Sequence, residues 1–236
     1  MSDRPQISIF GSTGSIGVNT VDVLLRSGGE KKFNVKVLSG GNNVKLLAEQ
    51  AIKLRAGLVV TAFSHRLEEL NSYLIGSGIQ GLAGEGALVE AASIYCDWTM
   101  SSIVGAAGIK VGLKSLEHGG ILALANKETM VCAGDLANKL AKKYQSKIIP
   151  VDSEHSAIFQ CLRGENIEEV ETITLTASGG PFRNLSIDKL RKVSPDEASN
   201  HPNWSMGKKI SIDSASMFNK GLEVVEAHHL FSLRGD

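Results

Sequence analysis

The chain has 236 residues, 42% hydrophobic and 21% charged, which suits one large or two smaller globular domains with a real core. Lys plus Arg and Asp plus Glu each number 25, so the net charge is zero and nothing marks a general binder of nucleic acid or membrane surface. Cys96, Cys132 and Cys161 are odd in number and form no C-x-x-C, which argues against a zinc site or a disulfide framework. Reduced thiols and a cytoplasmic location are expected. No signal core, transit peptide or long apolar run is seen, so no membrane partner is expected.

Ile7–Phe10 reads as a short apolar strand. It runs into Gly11-Ser-Thr-Gly14-Ser-Ile-Gly17 and then into a helix ending near Arg26, with Val18, Val21, Leu24 and Leu25 at helical spacing. Strand, glycine turn and helix in that order form a G-x-x-G-x-x-G variant of the dinucleotide fingerprint. Small residues there let the backbone approach a pyrophosphate at the helix N-terminus. The bland alternative is a tight turn with no ligand.

Phe33–Leu38 is the second expected strand, and it runs out into Ser39-Gly40-Gly41-Asn42-Asn43. An acid near this point would bind the ribose diol of NAD. None is present, and amides beside Lys45 favour NADP; alternatively the loop is plain and Asn43 caps the helix Val44–Leu54.

The alternation continues with strands at Leu58–Val60, Gly78–Leu82, Asp97–Val104 and Gly120–Ala125. Helices are expected near Ser64–Ile75 and Gly86–Ser93, and after Gly105-Ala-Ala-Gly108 to about His118. Repeated strand–helix units predict a doubly wound, Rossmann-like parallel sheet over residues 1–150. Asn126-Lys127-Glu128 follows the last of these strands, where ligands gather in such sheets. A cap and a surface ion pair would explain the same residues.

Residues 151–236 read as a second, α+β domain. Asp152 and Glu154 flank Ser153 ahead of His155, and two residues at i and i+2 share a side when the backbone is extended. A turn into a helix is expected by Leu162. Val170–Ala177 alternates like a half-buried strand and delivers Ser178-Gly179-Gly180, a hydroxyl with open amides suited to an anion. A short helix is expected over Leu185–Lys192. His201–Gly207, with Trp204, reads as a lid-like loop. Asp213-Ser214 then leads to a helix over Lys220–Phe231, on which Asn219, Lys220 and Glu223 can share one face. Asp152, Glu154 and Glu223 make a hard oxygen set for Mg or Mn. Ser153, Asn219 and Lys220 suit a phosphate-like group. A solvated acidic loop and an ordinary amphipathic helix are the competing reading.

Taken together, Gly11–Gly17, Leu124–Glu128, Pro150–His155, Ser178–Phe182 and the block from His201 to Glu223 resemble the 1-deoxy-D-xylulose 5-phosphate reductoisomerase family, in the same order and over essentially the whole chain. The resemblance implies an enzyme of the non-mevalonate isoprenoid pathway that makes 2-C-methyl-D-erythritol 4-phosphate from a sugar phosphate, using NADPH and Mn or Mg, and a homodimer. Carried over by motif, Asp152, Glu154 and Glu223 bind metal. Lys127, Ser153, Glu154, Ser178, His201, Ser214, Asn219, Lys220 and Glu223 meet substrate, with Lys127, Glu154 and His201 catalytic. Thr13, Gly14, Ser15, Ile16, Gly41, Asn42, Asn43, Asn126, Glu128 and Gly207 lie at the cofactor.

Two departures stand out. Asn42 occupies a position where the family often carries a base, and the family's pattern continues past Asp236, so the catalytic domain is expected to be partial. Rival readings are another NADP-dependent dehydrogenase, a metal-dependent phosphosugar isomerase, and a non-catalytic NADP-binding fragment.

Overall fold

The computed structural model describes residues 4–200 and 207–233. The chain divides into two units, residues 1–152 and 153–236.

The first unit is a parallel sheet of seven strands in the order β4-β3-β2-β1-β5-β6-β7. The strands are β1 (Gln6–Phe10), β2 (Asn34–Gly40), β3 (Leu58–Thr61), β4 (Gln80–Ala83), β5 (Trp98–Ser101), β6 (Ile121–Leu124) and β7 (Lys147–Pro150). Between them run α1 (Ser15–Arg26), α2 (Val44–Leu54), α3 (Leu67–Leu74), α4 (Glu85–Ala91), α5 (Ile109–Ser115) and α6 (Lys127–Tyr144). Every pairing is parallel, so each strand needs a crossover, and the expected strand–helix alternation supplies it. The central strands are apolar on both faces. Ile7, Ile9, Val35 and Leu38 pack with Val21, Leu47, Ala51 and Leu54, whereas Phe10, Val37 and Val60 pack with Leu88, Ala91 and Val111. Burial on both faces is why these strands read as continuous apolar runs.

Strand order reverses between β1 and β5. Neighbouring crossovers therefore lead away from each other there, and a crevice opens at the strands' carboxyl ends. Elements β7 and α6 carry no expectation from periodicity. In α6 the regular pattern is interrupted at Ala133, whose φ of −143° and ψ of 25° are not helical.

All three cysteines are free. Cys96 is buried with its Sγ 2.8 Å from Ser8 Oγ, and burial pushes its thiol pKa up. Among the described residues no helix is long and apolar enough to cross a membrane.

The second unit contains α7 (Ser153–Cys161), α8 (Ile187–Leu190), α9 (Pro195–Ser199), α10 (Lys208–Ala215) and α11 (Phe218–Phe231). The extended geometry expected for Asp152–Glu154 gives way to a bend at Asp152 and a helix that starts at Ser153. The strand expected at Val170–Ala177 does not form. Its side chains alternate in exposure at several positions, but no strand among the described residues of this unit pairs with it. Alternation reports a surface with two faces; a strand also needs a neighbour for its N–H and C=O groups. The candidate lid is seen only at its end, because His201 to Met206, including Trp204, lie outside the described residues.

A Cβ at residue 17 would lie 2.1 Å from the Gly11 carbonyl oxygen and 2.5 Å from Ser12 Cα, so backbone fills that space. Gly17→Ala should therefore cost about 2 kcal/mol or more in urea unfolding, as overpacking against an unyielding neighbour does. Gly14→Ala, whose Cβ would meet Gly11 oxygen at an ordinary 3.4 Å, should stay within about 0.5 kcal/mol.

Candidate active site

At the switch point the first turn is pinned from three sides. Gly11 N and Ser12 N both donate to the Ser39 carbonyl, at 3.2 and 2.7 Å. Gln50, buried on α2, donates through Nε2 to the Ser12 carbonyl at 3.0 Å. Gly11 has φ of +92°, and a Cβ there would sit 2.8 Å from the Ser102 carbonyl carbon beyond β5. Thr13 is half-buried and packs towards Gly40, whereas Gly14, Ser15 and Ile16 are exposed at the start of α1. The first turn of α1 carries no acidic residue, so its free N–H groups face no competing carboxylate from that turn.

At the end of β2, Gly41 is half-buried and Asn42 and Asn43 are exposed. Asn43 caps α2, its side-chain oxygen accepting from Leu46 N at 3.2 Å. The capping alternative is therefore realised for Asn43.

Asn126 caps α6 and is 3% exposed. Its Nδ2 donates to the carbonyls of Ile103 and Gly105, at 2.8 and 2.9 Å, and to Glu128 Oε2 at 2.9 Å. Its Oδ1 accepts from Thr129 N and Oγ1. Asn126 thus shapes the second small-residue turn, where a Cβ at residue 108 would strike the Ile103 carbonyl at 2.6 Å. Lys127 is buried, with Nζ 3.2 Å from Asp152 Oδ2. A buried ammonium is tolerable only when paired, and Asp152 supplies that partner inside the first unit.

Within the second unit, Glu154 and Glu223 bring carboxylate oxygens within 4.8 Å of each other. Lys220 Nζ lies between them, 3.0 Å from Glu154 Oε1 and in a very short contact with Glu223 Oε2. Burial works to lower the Lys220 pKa, but its bonds to Glu223 and Glu154 outweigh that and hold it above the ordinary lysine value. Asn219 Nδ2 donates to the other oxygen of Glu223, and Ser153 Oγ donates to Glu154 Oε2 at 2.6 Å. The helical face expected for Asn219, Lys220 and Glu223 is therefore present. Glu223 is 1% exposed, and its charge sits away from water with the Lys220 ammonium against it.

The Ser178 turn is also formed. Gly180 N donates to Ser178 Oγ at 3.2 Å, and Gly179 and Gly180 have φ of +77° and +67°. A Cβ at residue 180 would lie 2.7 Å from the Ser214 carbonyl oxygen, so the turn rests on the backbone at the end of α10. That contact brings the Ser178 and Ser214 segments together. Gly207 is exposed at the N-cap of α10, and His201 falls outside the described residues.

Two groups escaped sequence reasoning. His155 is fully buried between α7 and α11. Its Nε2 donates to the Glu223 carbonyl at 2.9 Å, and its Nδ1 lies 3.5 Å from Glu226 Oε2. It thereby ties Glu154's helix to Glu223's helix. Adjacency to Glu154 was the only sequence signal, since the pairing is tertiary. Gln50 is the other; a polar residue on the core face of α2, beside Leu47, Ala51 and Leu54, was its signal.

A doubly wound parallel sheet with a glycine turn at its switch point is a Rossmann-like fold. Here it precedes a helical unit built around paired buried and half-buried carboxylates. Two family models match: the one described as 1-deoxy-D-xylulose 5-phosphate reductoisomerase over residues 7–134, and that enzyme's C-terminal domain over residues 148–231. The chain belongs to the 1-deoxy-D-xylulose 5-phosphate reductoisomerase family.

Curated relatives of that name include one from Ruegeria sp. (strain TM1040), 56% identical over 97% of this chain and 57% of that protein. Another, from Paracoccus denitrificans, is 54% identical over 98% of this chain and 59% of its own length. A solved structure of the enzyme from Zymomonas mobilis in complex with NADPH is 43% identical, with a TM-score of 0.91 over 98% of this chain and 59% of that one. A second, DOX-P reductoisomerase with NADPH, fosmidomycin and magnesium, is 39% identical with a TM-score of 0.89. The chain thus spans less than two thirds of the length of these relatives.

The Lys220–Glu223 contact predicts a specific coupling. Lys220→Met should destabilise the second unit by about 3 kcal/mol, because it leaves a buried carboxylate without its cation. Lys220→Met with Glu223→Gln should recover most of that loss. Additive losses in denaturant titrations of the cycle would show that the pair does not carry this energy.

Proposed function

We propose that this chain provides the NADPH-binding and metal-binding parts of an enzyme that converts 1-deoxy-D-xylulose 5-phosphate to 2-C-methyl-D-erythritol 4-phosphate. The observation that carries the reading is the Glu154–Lys220–Glu223 cluster, in one chain with a glycine cradle of the dinucleotide type. Both groups fit the residues present. The cradle at Gly11 and Gly17 is space that any Cβ would fill, which suits a pyrophosphate lying against backbone. The Lys220 ammonium stands between two carboxylates as a cation would, and oxygen donors of this kind suit Mg or Mn. Asp152, two residues before Glu154, is assigned as the third ligand.

When bound, these groups supply Lewis-acid polarisation of substrate oxygens and a hydride. The remaining work belongs to side chains. Lys127, held by Asp152, presents a buried positive charge to an oxygen that becomes negative during the rearrangement. Ser153, Ser178, Ser214, Asn219 and Lys220 offer hydroxyl, amide and ammonium donors to the phosphate and hydroxyls of a sugar phosphate. Binding the unreactive phosphate orients the reacting carbons. With a divalent cation held by Glu154 and Glu223, Lys220 would be available for that task. Glu154 and His201 are assigned to the reacting hydroxyls by the family pattern. Thr13 to Ile16, Gly41 to Asn43, Asn126, Glu128 and Gly207 are assigned to the cofactor on the same basis.

In the complete enzyme, Asp152→Asn or Glu223→Gln should lower turnover on the order of a hundredfold or more. NADPH affinity should change by less than about twofold, because the cradle lies elsewhere in the chain. Binding of Mn, followed calorimetrically, should weaken in parallel with turnover. Near-wild-type rates with Mg or Mn in either variant would remove these residues from the metal site. An enzyme that oxidises NADPH without any divalent ion would instead favour a simple dehydrogenase.

A further inference from the structure

A chain that selects NADPH needs a cation near the end of β2, where the adenosine ribose lies, and Asn42 is not one. Asn43, which caps α2 through its side-chain oxygen, is likewise neutral and supplies no charge. The missing charge arrives from the next strand. After β3 the chain turns through residues 62–66, and Arg66 reaches back to the β2 loop. Its Nη2 donates to the Asn42 carbonyl at 2.9 Å. Other bonds hold the two loops together: Ala62 N donates to the Gly40 carbonyl at 2.9 Å, and Thr61 Oγ1 to the Gly41 carbonyl at 3.0 Å. Arg66 is thus a fixed neighbour of the Gly41–Asn42 loop.

Two features leave its guanidinium able to take a phosphate. Glu69 grips Nη1 at 2.6 Å, which orients the planar fork, with the Arg66 side chain 33% exposed. Nε is buried without a hydrogen-bond partner among the described residues, so the donors open to a ligand are those left on Nη1 and Nη2. With five N–H groups on the fork, at least two donors remain beyond those that meet Asn42 and Glu69. A planar, permanently charged fork of this kind matches phosphate geometry.

We propose that Arg66 is the residue through which this chain recognises the 2′-phosphate of NADPH, in place of a base at position 42. The proposal rests on the NADPH reading above and names the residue that sets its specificity. Glu69 is part of the device: it holds the fork while the phosphate binds on the remaining edge. Lys45, exposed in the first turn of α2, adds to the local positive charge without being tied to the loop.

The test uses the complete protein and four ligands in calorimetric titrations: NADPH, NADH, 2′,5′-ADP and 5′-AMP. Wild type should prefer each 2′-phosphorylated member of the two pairs. Arg66→Met should weaken NADPH and 2′,5′-ADP about tenfold or more while changing NADH and 5′-AMP by less than about twofold. Arg66→Lys should recover part of the loss, and Arg66→Met with Asn42→Lys should restore the preference by returning a cation to the same loop. Equal weakening of both members of each pair would mean that Arg66 only supports the loop, and would overturn the proposal. So would undiminished preference in Arg66→Met. A wild type with no preference within either pair would refute the NADPH reading itself, a result distinguishable because it appears before any substitution is made.

Discussion

Backbone packed on backbone at Gly11 and Gly17 is the constraint on which the first unit turns. Where β1 ends between β2 and β5, the turn touches the Ser39 carbonyl on one side and the Ser102 backbone on the other. Helix α1 presses so close that Gly17 meets the Gly11 carbonyl. No side chain larger than hydrogen can stand at either place, and the resulting absence of Cβ atoms makes the cradle. Gln50 extends the same logic from α2, holding the Ser12 carbonyl from within the core. The shape of this end of the sheet is therefore a property of the packing, with Gly14, Ser15 and Ile16 exposed at its surface.

The second unit is arranged on a different principle. Its buried residues among those described are mostly polar: His155, Ser211, Glu223 and Glu226, with Gly180 and Ala227 as the others. Such a core gains little from apolar transfer and depends on each polar group finding its partner. Lys220 and Asn219 satisfy Glu223 from its own helix, and His155 holds the backbone of that helix from α7. A cluster built in this way stabilises little on balance, because desolvating its charges offsets much of their mutual attraction.

How much of this was legible in the sequence differs between the units. Continuous apolar strands alternating with periodic helices have few other solutions, so six strands of the sheet and the glycine turn could be read from local pattern alone. The short strand β7 follows the interrupted helix α6 and offered little of either signal. The Asn219–Lys220–Glu223 face was legible because helical spacing alone sets it. Val170–Ala177 misled because its alternation is local while pairing is not. The contacts of Arg66 and His155 were invisible for the same reason. Each acts on a loop or helix distant in sequence, 24 residues away for Arg66 and Asn42 and 68 for His155 and Glu223. Local pattern contains no record of such meetings.

The three thiols are distributed in a way that has a practical consequence. Cys132 on α6 and Cys161 on α7 are exposed, one in each unit, whereas Cys96 lies beneath β1 against Ser8. An alkylating reagent meets the first two directly, but Cys96 reacts only when the sheet opens, and its raised pKa slows the attack further. Mass-resolved labelling therefore separates surface chemistry from opening of the sheet, without an introduced probe. The rate at which the third label is added measures how often the central strands part.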